Sequence, residues 1–428
     1  MSVQATFEDS QNGQAHSLTC PAVSQPGLAR PTLSSRTISR AMLAFTVFLG
    51  AFVINEPAPY ELMLVASIGG FLIFGMRLSS YAISLATLFL LFNLGGLLSM
   101  FQMSAYKDIP LYLMVSLFLG LSSVFFCAAI EADMGRLRII YRAYVVGALI
   151  TAVLGILGYF HAFPGAEIFT LYDRAKGAFQ DPNVFGPFLV PPVLYLSYGL
   201  LQRNLTFAPI RAGILLILMM GILLSFSRAA WGLVIISGGL LYVLQFASEK
   251  RAEKRLQMII ILVVGLAVFS SILLIALQFD AVGAMFSERA KAVQDYDGGN
   301  LGRFARHAIG FQWALENPLG IDPLEFGLTL GEDTHNIWVK SLMAYGWLGF
   351  ASYLTMTIWT IFGPAKLLLL QRPWTPYLQV AWATFVGHII IAWVIDIDHW
   401  RHVYLTIGII WGCMALERRW RMRQELPE

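Results

Sequence analysis

The sequence predicts an all-α integral membrane protein, and three observations carry that prediction. Of its 428 residues 57% are hydrophobic and only 13% charged, against about 45–50% and about 25% in soluble domains. From residue 38 onward, apolar stretches alternate with short polar breaks, and most of the stretches are long enough to cross a hydrocarbon core of roughly 30 Å. None shows the alternation of a barrel strand, so the backbone groups must be satisfied inside helices. The net charge of +3, from 29 basic and 26 acidic residues, is too even for a nucleic-acid binder. Cys20, Cys127 and Cys413 have neither the pairing nor the spacing of a disulfide framework or zinc site.

Residues 1–37 are polar, rich in Ser, Gln and Pro, with no apolar core before Ile38. They read as a disordered cytoplasmic tail, not a cleavable signal peptide. Twelve transmembrane helices are then expected, over 38–54, 60–76, 81–101, 109–130, 139–160, 184–201, 209–224, 229–246, 257–279, 337–362, 376–395 and 402–416. The domain 38–416 is followed by a basic cytoplasmic tail, 417–428. Two connections are long, 161–183 and 280–336, the second lying before the tenth helix. Within it an amphipathic helix is expected from Leu301 to Leu315, where Phe304, Ala308, Phe311 and Leu315 share a face at helical spacing. Such an element suits a cap over a cavity.

Lys and Arg accumulate in cytoplasmic loops. With the N-terminus inside, the cytoplasmic segments hold 19 of the 29 basic residues, among them Arg30, Arg203, the Lys250–Arg255 group and the Arg418–Arg423 group. Both termini are then cytoplasmic, and the two long connections face outward.

Four outward-facing constellations carry chemistry. Arg174-Ala-Lys-Gly-Ala-Phe-Gln-Asp-Pro-Asn183 leads into a helix interrupted by Pro187, Pro191 and Pro192; Asn183 reads as an N-cap, and broken membrane helices are tolerated where protein or a cavity satisfies the freed carbonyls. Ser225-Phe-Ser-Arg-Ala-Ala230 holds Arg228 at the membrane boundary, where snorkelling competes with a charged ligand. His335-Asn336 opens the tenth helix, followed by Gly346-Trp-Leu-Gly349. There a helix cap competes with a general base, and the glycines suit close helix packing. Asp396-Ile-Asp-His-Trp-Arg-His402 contains an Asp-x-Asp, which is either a salt-bridged lid or, less favoured, a metal site through Asp396 and Asp398. Arg174, Lys176 and Arg228 near one face suit an anionic group, and guanidinium favours phosphate. A transporter or flippase shares the helix count and mid-membrane prolines, but its site would lie at the bilayer midplane.

Three of these pieces resemble the O-antigen ligase and polysaccharide polymerase superfamily of bacterial inner membranes: the Arg…Gly-x-Phe-x-x-Pro-Asn at 174–183, the Ser-x-Ser-Arg-x-Ala at 225–230, and His335-Asn336 followed by Gly346-x-x-Gly349. Pro-Leu-Gly-Ile-Asp-Pro at 318–323 resembles the family's Pro-x-x-Gly-x-Gly-Pro, with Asp322 where glycine is usual. The resemblance implies a GT-C-like fold and metal-independent, inverting transfer of a glycan at the periplasmic face, with no cofactor. The donor it implies is an undecaprenyl-diphosphate-linked glycan, and the acceptor lipid A-core or a second carrier-linked glycan. It implies that Arg174 and Arg228 grip the diphosphate and that His335 serves the acceptor hydroxyl. Lys176, Asn183, Asn336, Arg303 and Arg401 are expected around the substrates, and no nucleic acid is involved.

Overall fold

A computed structural model describes residues 33–102, 109–202, 207–291, 302–321 and 324–424. Cys20, Arg30, Arg203, Leu301, Asp322, Pro323 and most of the N-terminal tail lie outside them. Residues from Ser39 to Glu428 form one compact unit.

The chain is an all-α membrane protein. Its helices run α1 (Leu33–Leu49), α2 (Pro59–Ile73), α3 (Ser80–Ser99), α4 (Ile109–Ala132), α5 (Gly135–Tyr159), α6 (Pro182–Phe188), α7 (Val190–Leu201), α8 (Ala208–Leu224), α9 (Arg228–Ser248), α10 (Ala252–Ala276), α11 (Asp280–Arg289), α12 (Arg303–Glu316), α13 (Glu325–Leu330), α14 (Ile337–Phe362), α15 (Thr375–Ile391) and α16 (Arg401–Gln424). Each of the twelve apolar stretches coincides with a helix, the sixth with the pair α6 and α7. Among the described residues, six spans are long and apolar enough by themselves to cross a membrane: α3, α4, α5, α6 with α7, α9 and α10.

Two boundaries differ from expectation. Helix starts at Leu33, inside the expected tail, and α16 continues to Gln424 through the basic segment. In that extension Arg372 and Arg421 both pair with the buried Glu417. The span expected at 402–416 is short but central, since every residue from His402 to Glu417 is buried. At the opposite extreme only 6% of the α10 span is buried, so α10 lies at the periphery.

Small residues set the close crossings, as expected where helices pack without a hydrophobic driving force. A Cβ on Gly95 of α3 would lie 2.9 Å from Cα of Gly349 in α14. One on Gly408 of α16 would lie 2.7 Å from the Ser123 carbonyl of α4.

The α14 helix is broken at Gly346, whose φ of 61° and ψ of −173° fall in a region essentially reserved for glycine. The amide of Trp347 leaves the helical ladder and donates to the Pro318 carbonyl at 3.1 Å, while the Met343 carbonyl accepts from Ile321 at 2.7 Å. The 318–321 turn thus fills the gap in the ladder. A Cβ on Gly346 would lie 2.6 Å from the Leu319 carbonyl carbon, so Gly346 serves this turn while Gly349 serves the α3 crossing.

Candidate active site

The charged pieces of the sequence converge on one cavity of about 700 Å³. Arg174, Asn183, Arg228, Arg303, His335 and Asp396 all line it. Its apolar wall comes from Phe226, Ile391, Val394 and Trp400.

Local folding aims each group. Arg174 closes a hairpin of two-residue strands, β1 (Thr170–Leu171) and β2 (Arg174–Ala175). Its loop residues Tyr172 and Asp173 both have positive φ, the geometry of a tight two-residue hairpin. The buried guanidinium donates to the Ser225 carbonyl at 2.8 Å and to Asn183 Oδ1 at 2.7 Å. It therefore ties the hairpin, the start of α6 and the end of α8 together at the cavity. The N-cap of α6 is Asp181, whose Oδ1 accepts from the Asn183 amide at 2.6 Å. The reading of Asn183 as the cap is corrected: its side chain is committed to Arg174.

Ser227 caps α9, and the preceding Phe226, buried with φ of 46°, makes the sharp turn that delivers Arg228 as the first helical residue. Arg228 Nη1 lies 3.4 Å from the Lys291 carbonyl, beyond the end of α11. Arg303 opens α12.

Asn336 caps α14, its Oδ1 accepting from the amides of Trp338 and Val339 at 3.0 and 3.2 Å. The capping alternative for His335 is thereby corrected. His335 sits one position earlier, at φ 50°, and its ring is displayed toward the cavity. Burial, then the nearby Arg303, hold the imidazole below its ordinary pKa, so it is neutral and able to accept a proton near pH 7.

His335 Nδ1 lies 3.8 Å from Asp396 Oδ2, and Lys340 Nζ lies 3.6 Å from the same oxygen and 2.6 Å from Asp333. The distance from His335 is longer than a hydrogen bond but within strong electrostatic reach. Burial outweighs Lys340 at Asp396 and pushes its carboxyl up to about 7. Asp398 goes the other way. Burial works to raise it, but Lys340 and His399, with hydrogen bonds from His399 and Tyr112, together hold it below the usual carboxylate range. The two carboxylates of the Asp-x-Asp thus have different neighbours: Asp396 lines the cavity, and Asp398 accepts from the Tyr112 hydroxyl and pairs with His399 at 3.0 Å. Among the described residues no three His, Cys, Asp or Glu side chains gather as metal ligands.

Three expected substrate residues do not line the cavity: Lys176, Arg401 and Asn336, whose side-chain oxygen is committed to the α14 cap. Arg401 is held by Glu61 at 2.5 Å and Glu56 at 2.9 Å, which makes it a tie between α16 and the start of α2. Lys176 is not among the residues lining the cavity; its amide donates to the Phe169 carbonyl.

Sequence reasoning passed over Arg289, Asp333 and Lys340. Lys340 left a signal, as the single charged residue in the 337–362 span; an ionisable residue there is a functional hypothesis by default. Arg289, at the end of α11, left none.

Residues 213–354 match the family model described as O-antigen ligase. The match covers about a third of the chain and supports the resemblance to the O-antigen ligase and polysaccharide polymerase superfamily. The matched segment contains Arg228, Arg289, Arg303, His335, Lys340 and both glycines of α14, and the first four of these line the cavity. Arg174, Asn183 and Asp396 come from outside it. No curated protein matches the chain.

Proposed function

We propose that the protein is a multi-pass inner-membrane glycosyltransferase of the O-antigen ligase or polymerase type. It moves a glycan from an undecaprenyl-diphosphate carrier to an acceptor hydroxyl, lipid A-core or a second carrier-linked glycan, at the periplasmic face. The observation carrying this reading is the convergence of four arginines, Arg174, Arg228, Arg289 and Arg303, with His335 in one cavity, inside and beside the segment that matches the ligase family.

The chemistry follows from the residue types. A diphosphate is a competent leaving group, so the site must mainly supply positive charge against the charge that develops on it. Arg228 and Arg174 meet that need, with Arg289 and Arg303 beside them. His335 takes the proton of the acceptor hydroxyl. The oxygen then attacks the anomeric carbon as the bond from that carbon to the diphosphate breaks, and the electron pair leaves with the diphosphate. Direct attack inverts the anomeric centre. Asp396 acts on His335 by stabilising the imidazolium that forms, as the carboxylate does in hydrolase triads. The reaction runs without metal in this reading: Lys340 already places a cation 3.6 Å from Asp396, and arginine supplies the charge elsewhere.

Gene deletion followed by glycan analysis tests the reading. Loss of long chains from lipopolysaccharide with accumulation of a lipid-linked polymer identifies a ligase, and single repeats or lost exopolysaccharide identify a polymerase. Unchanged envelope glycans in the deletion strain overturn it.

A further inference from the structure

The amphipathic helix α12 is inside out for a water-facing cap. Its outward stripe is Phe304, Phe311 and Leu315, exposed by 63, 49 and 53%, together with Ala308. Its inward side buries Arg306, which pairs with Glu332. Burying a guanidinium while presenting two phenylalanines outward suits an apolar exterior and is costly against water.

The depth of the C-terminal end of the segment points the same way. Gly310 packs against the first turn of α14, since a Cβ there would lie 2.9 Å from Val339. The 318–321 turn that follows α12 meets the same helix at Gly346, nine residues beyond the helix start at Ile337 and so about 14 Å along it. The 26 residues of α14 extend about 39 Å, roughly 9 Å more than the hydrocarbon thickness. With the whole excess at this end of an untilted α14, the turn would still lie about 5 Å inside the hydrocarbon. Non-helical backbone is tolerated at that depth only where protein satisfies it. Here the Pro318 carbonyl receives Trp347, and the amides of Ile321 and Gly320 reach Met343 and Asn317. The exposed stripe also continues past the turn through Leu319 to Trp347 and Leu348 on α14.

We infer that residues 303–321 form a re-entrant segment, with the stripe from Phe304 to Leu319 immersed in the acyl chains of the bilayer. This rests on α14 being a membrane span, as the apolar stretch at 337–362 predicts, but not on any glycan chemistry. Its consequence is local to the cavity. Arg303 and Phe304, adjacent on α12, both line the cavity, so a phosphate-binding charge and a lipid-contacting ring share one rim, matched to a ligand with an anionic head and a hydrocarbon tail.

The test uses the full chain in lipid vesicles with Cys20, Cys127 and Cys413 replaced, and a single cysteine carrying a bimane fluorophore at Phe311, Leu315, Leu319 or, as a control on the flanking face, Glu316. Quenching is read with phospholipids spin-labelled along the acyl chain and with aqueous iodide. The expected result is loss of fluorescence with the lipid label and not with iodide at Phe311, Leu315 and Leu319, the deeper label acting more strongly at Leu319 than at Phe311, and iodide quenching at Glu316. Iodide quenching of the stripe, which means a water-facing cap, or quenching by neither agent, which means that protein covers it, overturns the inference. The fluorescence requires no turnover, so it stands or falls separately from the transferase reading.

Discussion

At the scale of single residues, the cavity separates side chains that hold structure from those poised for chemistry. In the proposed reaction Arg228 belongs to the second group, and its planar fork distinguishes it from a simple charge. Arg228→Ala is expected to abolish transfer with normal membrane insertion, and Arg228→Lys to restore little, because an ammonium cannot make the bidentate contact. Assay of transfer in membranes with matched protein levels checks this, and wild-type rates in Arg228→Ala remove the residue from the mechanism. The His335–Asp396 pair makes a prediction in pH. The Asp396 carboxyl is raised to about 7, and its ionised form is the one that stabilises imidazolium, so activity should rise through pH 7 and fall away below it. In Asp396→Asn that requirement disappears. The acid limb should then move below the ordinary histidine value, where the depressed imidazole of His335 titrates, with turnover reduced overall. A pH–rate profile unchanged in midpoint denies Asp396 any part in stabilising the His335 imidazolium. His335→Asn should retain the fold, since asparagine tolerates positive φ and Asn336 keeps the cap, yet lose about 10²–10⁴-fold in rate as a missing general base does.

At the scale of elements, the break in α14 is where the 318–321 turn docks. The helix gives up one rung of its ladder at Gly346, and the 318–321 turn supplies both replacement bonds. Gly346→Ala introduces a Cβ into the Leu319 backbone and a side chain into a glycine-only conformation, a strain of about 1–3 kcal/mol before the steric clash. A lowered melting temperature in detergent and reduced transfer are expected, whereas Gly69→Ala, where no atom lies within 4 Å, should leave both unchanged. Equal thermal stability of the Gly346→Ala protein and wild type means the turn does not lock the helix. Legibility at this scale was uneven. Helix positions followed from apolar run length, and the amphipathic period of α12 was visible, but the side it turns inward was not. Period identifies a stripe without saying whether protein or lipid covers it.

At the scale of the whole molecule, charge distribution predicts orientation. The basic clusters at Lys250–Arg255 and Arg418–Arg423 should face the cytoplasm, and the cavity the periplasm, by the preference of Lys and Arg for cytoplasmic loops. Green fluorescent protein fused after Glu428 should fluoresce, and alkaline phosphatase inserted between residues 292 and 300 should be active. The opposite pair of signals inverts the protein and moves the proposed reaction to the cytoplasmic face.

The sequence by itself determined that this is a helical membrane protein and where its apolar helices lie, and it singled out Arg174, Arg228 and His335, which line one cavity. Composition, run length and rare ionisable groups beside apolar runs are local properties, and they survive without coordinates. Only the tertiary structure decided which cations share a cavity. Lys176 and Arg401 carry the same charge as Arg228, and nothing local says that Arg401 is held by Glu56 and Glu61 while Arg289, from a segment with no motif, comes to the cavity wall. The partners of Asp396 and Asp398 were equally hidden, because carboxylates two positions apart in a turn can face different neighbours, and the ammonium beside Asp396 comes from Lys340, fifty-six residues earlier in the chain. Electrostatic environment is set by distance in space, which sequence spacing does not encode across helices.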